Sequence, residues 1–542
     1  MASKRLQKKK AAAASRLETK KTDYIKISTQ KAEPVKIATE NQKEPRLTAA
    51  PEKDFIYQQR FSRYYDELKW LYCELYESSE APLTHLKDLT LKMKHFYDER
   101  EAKLRKSDIE RAFNPGWFHT GDLSGMEIYG NSLPDTAQSQ DELLNYMEEC
   151  HTNCLFLKGS EKDYSDFAVR AHSRNICLCS DLSFDFSEKF AQNSDSFSPA
   201  AFNDMIFQLL SLADQGADMI CVSPLPPFYS IGRMMRLVCE IVCPGVLLLG
   251  KTDMEKESSL SWFGTPESPV FHLLFSSENM ADIWHTAATR DVSLLRRQID
   301  RRASLSENCV FLNALRNHDE IRWNLDYSYL KDCAMEETPH KKYLNDFFTG
   351  KYPGSFARGE AFKEGVRGTA ASLCGIEKAD FEGNSPSLEK AVLYDITLHS
   401  LLLSLPGMPV LLSGDEIGKL NDYSLHAGDF NKTLAENRKL AHTVQGQIFS
   451  SLNRLKAVRS SHKVFNSSVP ARTIETWDSS VLALARETDE EKFIGIYNFS
   501  EYDKTAWINE EDGIYTNLIS GREMEAKGVN IPAFGFLWLL RK

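Results

Sequence analysis

The chain has 542 residues, of which 42% are hydrophobic, 11% aromatic and 26% charged, a composition typical of soluble globular proteins. Its net charge of −11 is uneven. Residues 1–50 carry 13 Lys or Arg against 5 Asp or Glu, a net charge of +8, which leaves −19 for residues 51–542. Such an acidic body argues against nonspecific nucleic-acid binding by the body itself, whereas the basic tail is suited to an acidic partner.

The cysteines and the apolar runs indicate the compartment. Eleven cysteines occur without the paired C-x-x-C spacing of a zinc site. The N-terminus lacks an apolar leader, and no run approaches the roughly 20 apolar residues of a membrane span. We therefore expect a cytoplasmic protein with reduced thiols, no metal, no cofactor and no membrane contact.

The first two regions differ sharply in pattern. Residues 1–50 lack aromatic side chains except Tyr24, and we predict a disordered basic tail. Residues 51–115 repeat apolar side chains at three- and four-residue spacing, as in YYDELKWLYCELY, which predicts an N-terminal helical domain of two or three helices.

Residues 116–458 alternate short apolar runs with helical patterns. The runs NCLFL, NICLCSDLSF, ADMICVSPL, GVLLLG, CVFLNAL and MPVLLSGD are typical of buried strands. Strands that alternate with helices predict a parallel sheet, and at this length a (β/α)₈ TIM-type barrel with its site at the strand C-termini. An open doubly wound sheet is the alternative, but no Gly-rich phosphate loop follows a strand.

Three further features complete the predicted architecture. Only about twenty residues separate NCLFL from NICLCSD, so we expect a partly degenerate barrel with one shortened βα unit. The segment 324–390, which contains KYPGSFARGEAF, predicts an irregular, partly helical insertion. After residue 459 short β runs separated by turn residues predict a C-terminal antiparallel β-sandwich over 459–542.

The run FLNALRNHDEIRW ends an apolar strand in four polar side chains. Arg316, Asn317, His318 and Asp319 supply a cation, an amide, an imidazole and a carboxylate at one strand end. A row of sugar hydroxyls is recognised by this mixture of donors and acceptors. The sequence therefore favours a site of sugar chemistry.

This run resembles the fourth signature region of the α-amylase superfamily, glycoside hydrolase family 13. WHTAATRDVSLL, YPGSFARGEAF, VRGTAASLCGI and LPGMPVLLSGDEIGKLND resemble amylosucrase segments in the same order. The resemblance implies a retaining mechanism on α-glucosides, with a nucleophile and an acid/base about 5–5.5 Å apart. It also implies that Asp319 is the third family carboxylate, and that Arg316, His318, Asp319 and Asp181 bind substrate.

The two bond-breaking residues of the family pattern are replaced. Ser223 stands at the nucleophile position, with Cys221 in place of the neighbouring arginine, and Lys251 stands at the acid/base position. A serine without an adjacent base is a poor nucleophile, and a lysine opposes positive charge at the anomeric carbon. Asp253 or Glu255 could replace the acid/base only after a slip of two or four residues along the strand.

The first signature region is altered as well. Asp181 is retained there, whereas Asp185 and Phe186 replace the family asparagine and histidine. Arg316 is then free for structural pairing with Asp319 or Asp218. No intact catalytic set is expected.

Three functions are compatible with this pattern. The first is an inactive amylosucrase-like pseudoenzyme of carbohydrate metabolism, which binds an α-glucan or α-glucoside or serves as a scaffold or regulatory partner of another protein. The second is an active retaining α-glucosyl hydrolase or transferase with displaced carboxylates. The third is an interaction protein that uses its basic tail.

Overall fold

The computed structural model describes residues 53–76, 80–129, 132–159, 162–182, 184, 197–251, 260–317, 321–422, 436–508 and 513–542. Within these residues, no helix combines the length and the apolar character that crossing a membrane requires.

The N-terminal region forms three helices: α1 (Lys53–Tyr76), α2 (Glu80–Glu99) and α3 (Ala102–Phe113). The apolar faces of α1 and α2 join one core with the barrel helices that follow. Arg100 is buried where α2 ends and bonds Asp108 of α3 at 2.6 Å and Asp214 of the barrel at 3.1 Å. This ion-pair network fixes the helical region to the outside of the barrel.

The central region is a (β/α)₈ barrel, as predicted. Its strands are all parallel to their neighbours and close in the order β1-β10-β7-β6-β5-β4-β3-β2. The elements up to residue 313 are β1 (Gly125–Tyr129), α4 (Ala137–Glu149), β2 (Cys154–Lys158), α5 (Ser165–Ser173), β3 (Cys177–Leu182), α6 (Pro199–Asp214), β4 (Met219–Val222), α7 (Tyr229–Val242), β5 (Leu247–Gly250), β6 (Leu273–Phe275), α8 (Ser277–Thr289), α9 (Ser293–Ala303) and β7 (Val310–Asn313).

A segment of short elements separates the seventh and eighth barrel strands. It contains α10 (Tyr327–Asp332), α11 (Glu337–Phe348), the hairpin of β8 (Glu360–Phe362) and β9 (Gly365–Arg367), α12 (Ala370–Leu373) and α13 (Ile376–Phe381). The barrel then closes with α14 (Ser385–Ser404), β10 (Met408–Leu412) and α15 (Val444–Ser460).

Alternate residues of the barrel strands point inward and form a separate apolar core. Phe156, Met219, Leu247, Leu312 and Val410 belong to it. The interior is thus packed with side chains, as in other barrels of this type. Among the described residues, the charged side chains that line this interior, Lys158 and Asp181 for example, lie toward the C-terminal ends of the strands.

The C-terminal region is an antiparallel β domain, as predicted. A six-stranded sheet has the order β11-β12-β13-β18-β15-β16, and β14 pairs with β17. The strands are β11 (Arg472–Ile474), β12 (Val481–Glu487), β13 (Lys492–Asn498), β14 (Lys504–Ala506), β15 (Ile514–Asn517), β16 (Glu523–Glu525), β17 (Val529–Ile531) and β18 (Phe536–Arg541).

Candidate functional site at the barrel mouth

Four charged side chains meet at the C-terminal end of the barrel. Glu127, Lys158, Asp181 and Lys251 line one cavity of about 30 Å³ together with apolar side chains that include Phe275. That volume holds about two water molecules. Sites for small molecules usually span about 300–1,000 Å³. In this conformation the cavity has no room for a sugar ring.

The strand register brings Lys158 and Asp181 together. Phe156 of β2 lies opposite Cys179 of β3, and Lys158 and Asp181 each follow two residues later on the same inward face. The Lys158 Nζ lies 2.8 Å from the Asp181 Oδ2. The backbone N–H of Gly159 donates to the same oxygen at 3.3 Å. Asp181, predicted to bind substrate, is therefore held by an ion pair within the protein.

The pKa of Lys158 reflects this pairing. Burial alone would lower the pKa of the ammonium, but the charge of Asp181 and the hydrogen bond to it raise the pKa above its ordinary value. Lys158 is therefore positively charged at neutral pH. Because Asp181 is paired with Lys158, its carboxylate is not available to a ligand in this conformation.

Cys221, predicted from the resemblance to stand in place of an arginine, lies next to Asp181 in the barrel register. Burial raises the pKa of the Cys221 thiol, and the nearby Asp181 carboxylate raises it further. The thiol is therefore neutral and cannot orient an adjacent carboxylate as an arginine would. Ser223 follows β4 directly and is half-buried, at the strand end where a nucleophile is expected.

Lys251 follows β5 directly, and its backbone N–H donates to the Val222 carbonyl at 3.1 Å. Its Nζ lies 5.4 Å from the centroid of the Phe275 ring, within the range of a cation–π interaction. The strand end at which the resemblance predicts an acid/base thus presents the Lys251 side chain to the cavity.

Arg316 is held by Asp415, and its predicted pairing with Asp218 is wrong. It is only 4% exposed, and its Nε lies 2.8 and 2.9 Å from the two carboxylate oxygens of Asp415. Asp218 precedes β4, at the opposite end of the barrel, where it pairs with Arg111 at 2.6 Å and His172 at 2.9 Å. The sequence did not reveal this separation, because Asp218 precedes one strand whereas Arg316 follows the end of another.

Six other residues of the predicted site lie outside the described residues. They are Asp185, Phe186, Asp253, Glu255, His318 and Asp319. Within the described residues, no three His, Cys, Asp or Glu side chains are grouped in a way that suits a metal ion.

Sequence reasoning missed Glu127 and Lys158. Lys158 immediately follows the apolar run NCLFL, so its place at a strand end was a usable signal. Glu127 lies inside the short run GMEIY, where a charge interrupts the apolar pattern of a buried strand. That the two side chains line the same cavity became clear only from the barrel register.

Solved structures define the class of fold. A variant of AmyP in complex with maltotriose matches with a TM-score of 0.56 at 12% identity, over 78% of this chain and 97% of that one. The α-amylase from H. orenii matches with a TM-score of 0.52 at 14% identity, over 77% and 99%. The fold is therefore that of α-amylase-type structures, and the predicted resemblance is confirmed at the level of the fold.

Sequence comparison adds particular relatives, although no family model matches the chain. The glucosylglycerate phosphorylase of Escherichia coli (strain K12) is 22% identical over 321 residues, 57% of this chain and 55% of the relative. The glucosylglycerate phosphorylase of Spirochaeta thermophila is 24% identical over 137 residues, 23% of each chain. The chain thus matches about half or less of the length of these relatives.

Proposed function

We propose that this protein is a catalytically inactive α-amylase-type pseudoenzyme of carbohydrate metabolism that acts by binding an α-glucan or α-glucoside. The observation that carries the proposal is the Lys158–Asp181 ion pair in the barrel mouth, at 2.8 Å. A retaining mechanism needs two available carboxylates about 5–5.5 Å apart, one of them protonated. Here a described carboxylate is neutralised by the protein's own ammonium group.

The charge distribution also opposes catalysis. Lys251 presents a second ammonium group to the same cavity. The transition state of glycoside cleavage resembles an oxocarbenium ion, which a carboxylate stabilises and a cation destabilises. The Ser223 hydroxyl, directly after β4, is uncharged and cannot stabilise this positive charge as a carboxylate would. A role as scaffold or regulatory partner of another protein follows if the mouth binds no sugar.

A cytoplasmic location belongs to the same proposal. All eleven cysteines carry free thiols, and seven of them are buried. Free thiols in this number are expected where glutathione and thioredoxin keep the compartment reducing.

An assay of bond cleavage tests the proposal. The full chain is incubated with sucrose, starch and maltooligosaccharides, and with glucosylglycerate plus phosphate because the sequence relatives are phosphorylases of that name. We expect no glucose, fructose or glucose 1-phosphate above the level of a heated sample. Ser223→Asp and Lys251→Glu should fail singly, since each leaves the other half of the coupled unit missing.

Two results would contradict inactivity. One is turnover by the unmodified protein that disappears in Asp319→Ala. The other is a covalent adduct, trapped with a fluorinated glucoside, that maps to a barrel-mouth residue.

An active enzyme with displaced carboxylates is the second candidate. Glu127 and Asp181 both line the mouth cavity, so two carboxylates are present there even though the family positions are replaced. This candidate predicts turnover that Glu127→Gln abolishes and that Lys158→Met increases, because loss of the ammonium group would release Asp181.

A further inference from the structure

A pair of buried histidines joins a barrel helix to the segment that follows the seventh barrel strand. His285 lies on α8 and is 2% exposed, and His340 lies on α11 and is 9% exposed. Their ring centroids are 5.1 Å apart, and the ring planes meet at 69°. The two imidazoles therefore pack edge to face where α8 and α11 are in contact.

The imidazoles of this pair have no hydrogen-bonding partner among the described residues. Both ring nitrogens of His285 and both of His340 are buried and unbonded. The hydroxyl of Tyr327 is in the same state, and its ring centroid lies 5.9 Å from that of His340. Buried polar groups without a partner cost free energy and call for an explanation. Packing alone does not account for histidine at both positions.

The titratable and charged groups around the pair offer little compensation for an imidazolium. They come from α10, α11, α14, α9 and the turn after α8, and they are Asp326, Tyr327, Glu337, Lys341, Tyr343, Tyr394, Arg297, Arg290 and Asp291. The three tyrosines are neutral phenols, because burial raises the pKa of each. Arg297 and Asp326 pair with each other at 3.5 Å. Asp291 favours protonation of His285, but burial and the His340 ring oppose it more strongly.

The pKa of both histidines is therefore lower in the folded protein than in water. Burial and, after it, the neighbouring His340 ring lower the pKa of His285 from 6.5 to about 3. Burial also lowers the pKa of His340. Where folding lowers the pKa of a histidine, the open form binds more protons than the closed form. The balance between the two forms is then constant above pH 6.5 and shifts towards the open form as the pH falls below that value.

We propose that His285 and His340 form an acid-sensitive latch, which holds α10 and α11 against the barrel helix α8 and releases them as the solution becomes acidic. Protonation of either ring places an unpaired cation between the helices, whereas in the open form the imidazolium is hydrated. The Tyr343 hydroxyl, which donates to the Ala288 carbonyl at 2.9 Å, joins the same helices but does not titrate in this range. The latch does not depend on whether the barrel mouth binds a sugar.

Hydrogen exchange of the full chain at pH 8 and pH 5 tests the latch. With a pKa of about 3 in the closed form and 6.5 in the open form, His285 alone should raise the open fraction of α11 about thirtyfold between these pH values. His340 should increase this response. Exchange rates are divided by the intrinsic rate at each pH and compared between peptides from α10 and α11 and peptides from α4, which should respond far less.

Variants identify the histidines as the cause of the response. His285→Phe and His340→Phe keep a ring for edge-to-face packing but cannot be protonated, so each should reduce the acid response of α11 and the double variant should remove it. The matched control is His272→Asn. Burial lowers the pKa of His272 as well, and its Nδ1 accepts from the Leu248 N–H at 2.9 Å, a bond that an asparagine oxygen can replace. This control should leave the response of α11 intact.

Four results would overturn the latch. They are a rise of less than about tenfold in α11 of the unmodified protein, an equal rise in α4, a full response in the double variant, or loss of the response in His272→Asn. The first two come from the unmodified protein, so they decide the question even if a substitution prevents folding. The second would show that acid acts on the whole fold rather than on the contact between α8 and α11.

Discussion

At the scale of single residues, Arg316, which the sequence predicts to bind sugar, is paired with Asp415 inside the protein. Removing one partner of a buried ion pair leaves the other charge uncompensated, which costs about 3–5 kcal/mol. We expect Arg316→Ala to lower the free energy of unfolding by that amount, measured by urea denaturation.

The comparison for this prediction is a surface pair of the same chemistry. Arg367 lies 2.6 Å from Glu360, but both side chains are nearly half exposed. Exposed pairs contribute about 0–1 kcal/mol, so Arg367→Ala should change stability little. If Arg316→Ala were as mild as Arg367→Ala, the structural role of Arg316 would be refuted.

Single residues also show the limit of sequence reasoning. The strand-end positions of Ser223 and Lys251 follow from the apolar runs before them, and the structure has both directly after a strand. The partner of Arg316 could not be predicted, because Asp415 is distant in sequence and pairs with it only through the closure of the barrel. Charged residues can be read from the sequence, but which of them are buried next to each other cannot be read from one segment of the chain.

At the scale of elements, the first strand depends on one small residue. Gly125 of β1 lies opposite Val410 of β10 and Cys154 of β2, at the closure of the barrel. An added Cβ would lie 2.6 Å from Phe156 Cε2 and 2.7 Å from Val410 Cγ2. Overpacking of this kind costs about 1–3 kcal/mol, and we expect Gly125→Ala to lower the free energy of unfolding accordingly.

Gly116 serves as the control, because an added methyl group there would not be crowded. At Gly116 an added Cβ would meet only the His119 ring, at 3.9 Å, an ordinary contact. Gly116→Ala should therefore leave the urea midpoint nearly unchanged. Combining Gly125→Ala with Phe156→Leu should recover part of the loss, and an equal loss without recovery would argue against overpacking.

Barrel strands were predictable where they form an uninterrupted apolar run of at least four residues. Six of the eight appear as apolar runs in the sequence. β6 has only three residues, and β1 is interrupted by Glu127, so neither has the run of apolar residues by which a buried strand is recognised. Their existence follows instead from the need to close the barrel.

At the scale of the whole molecule, the barrel and the β domain share one core. Trp284 and Leu398 of the barrel helices belong to the same apolar cluster as Leu484 and Trp538 of the β domain. Polar contacts cross the same boundary, since Tyr497 Oη donates to Ser404 Oγ at 2.6 Å. The two parts are therefore expected to lose structure together.

Calorimetry tests this coupling. We expect a single endotherm for the barrel and the β domain, with a calorimetric enthalpy close to the van't Hoff value. Arg486 of the β domain donates to the Ser404 carbonyl at 3.0 Å, so Arg486→Leu should lower the temperature of that one transition. Two well-separated endotherms in the unmodified protein would show that the shared core does not couple the parts.

The Lys158–Asp181 ion pair in the barrel mouth also determines which conformers of the protein can bind a ligand. A ligand that takes the place of Lys158 on the Asp181 carboxylate must bind the minority of molecules in which the two side chains have separated. Its apparent dissociation constant is then its intrinsic value divided by that minority fraction, so an open fraction of about 1% weakens affinity about a hundredfold. Lys158 in effect competes with the ligand for Asp181. Substitutions that weaken this ion pair would increase the affinity for the ligand without adding a contact to it.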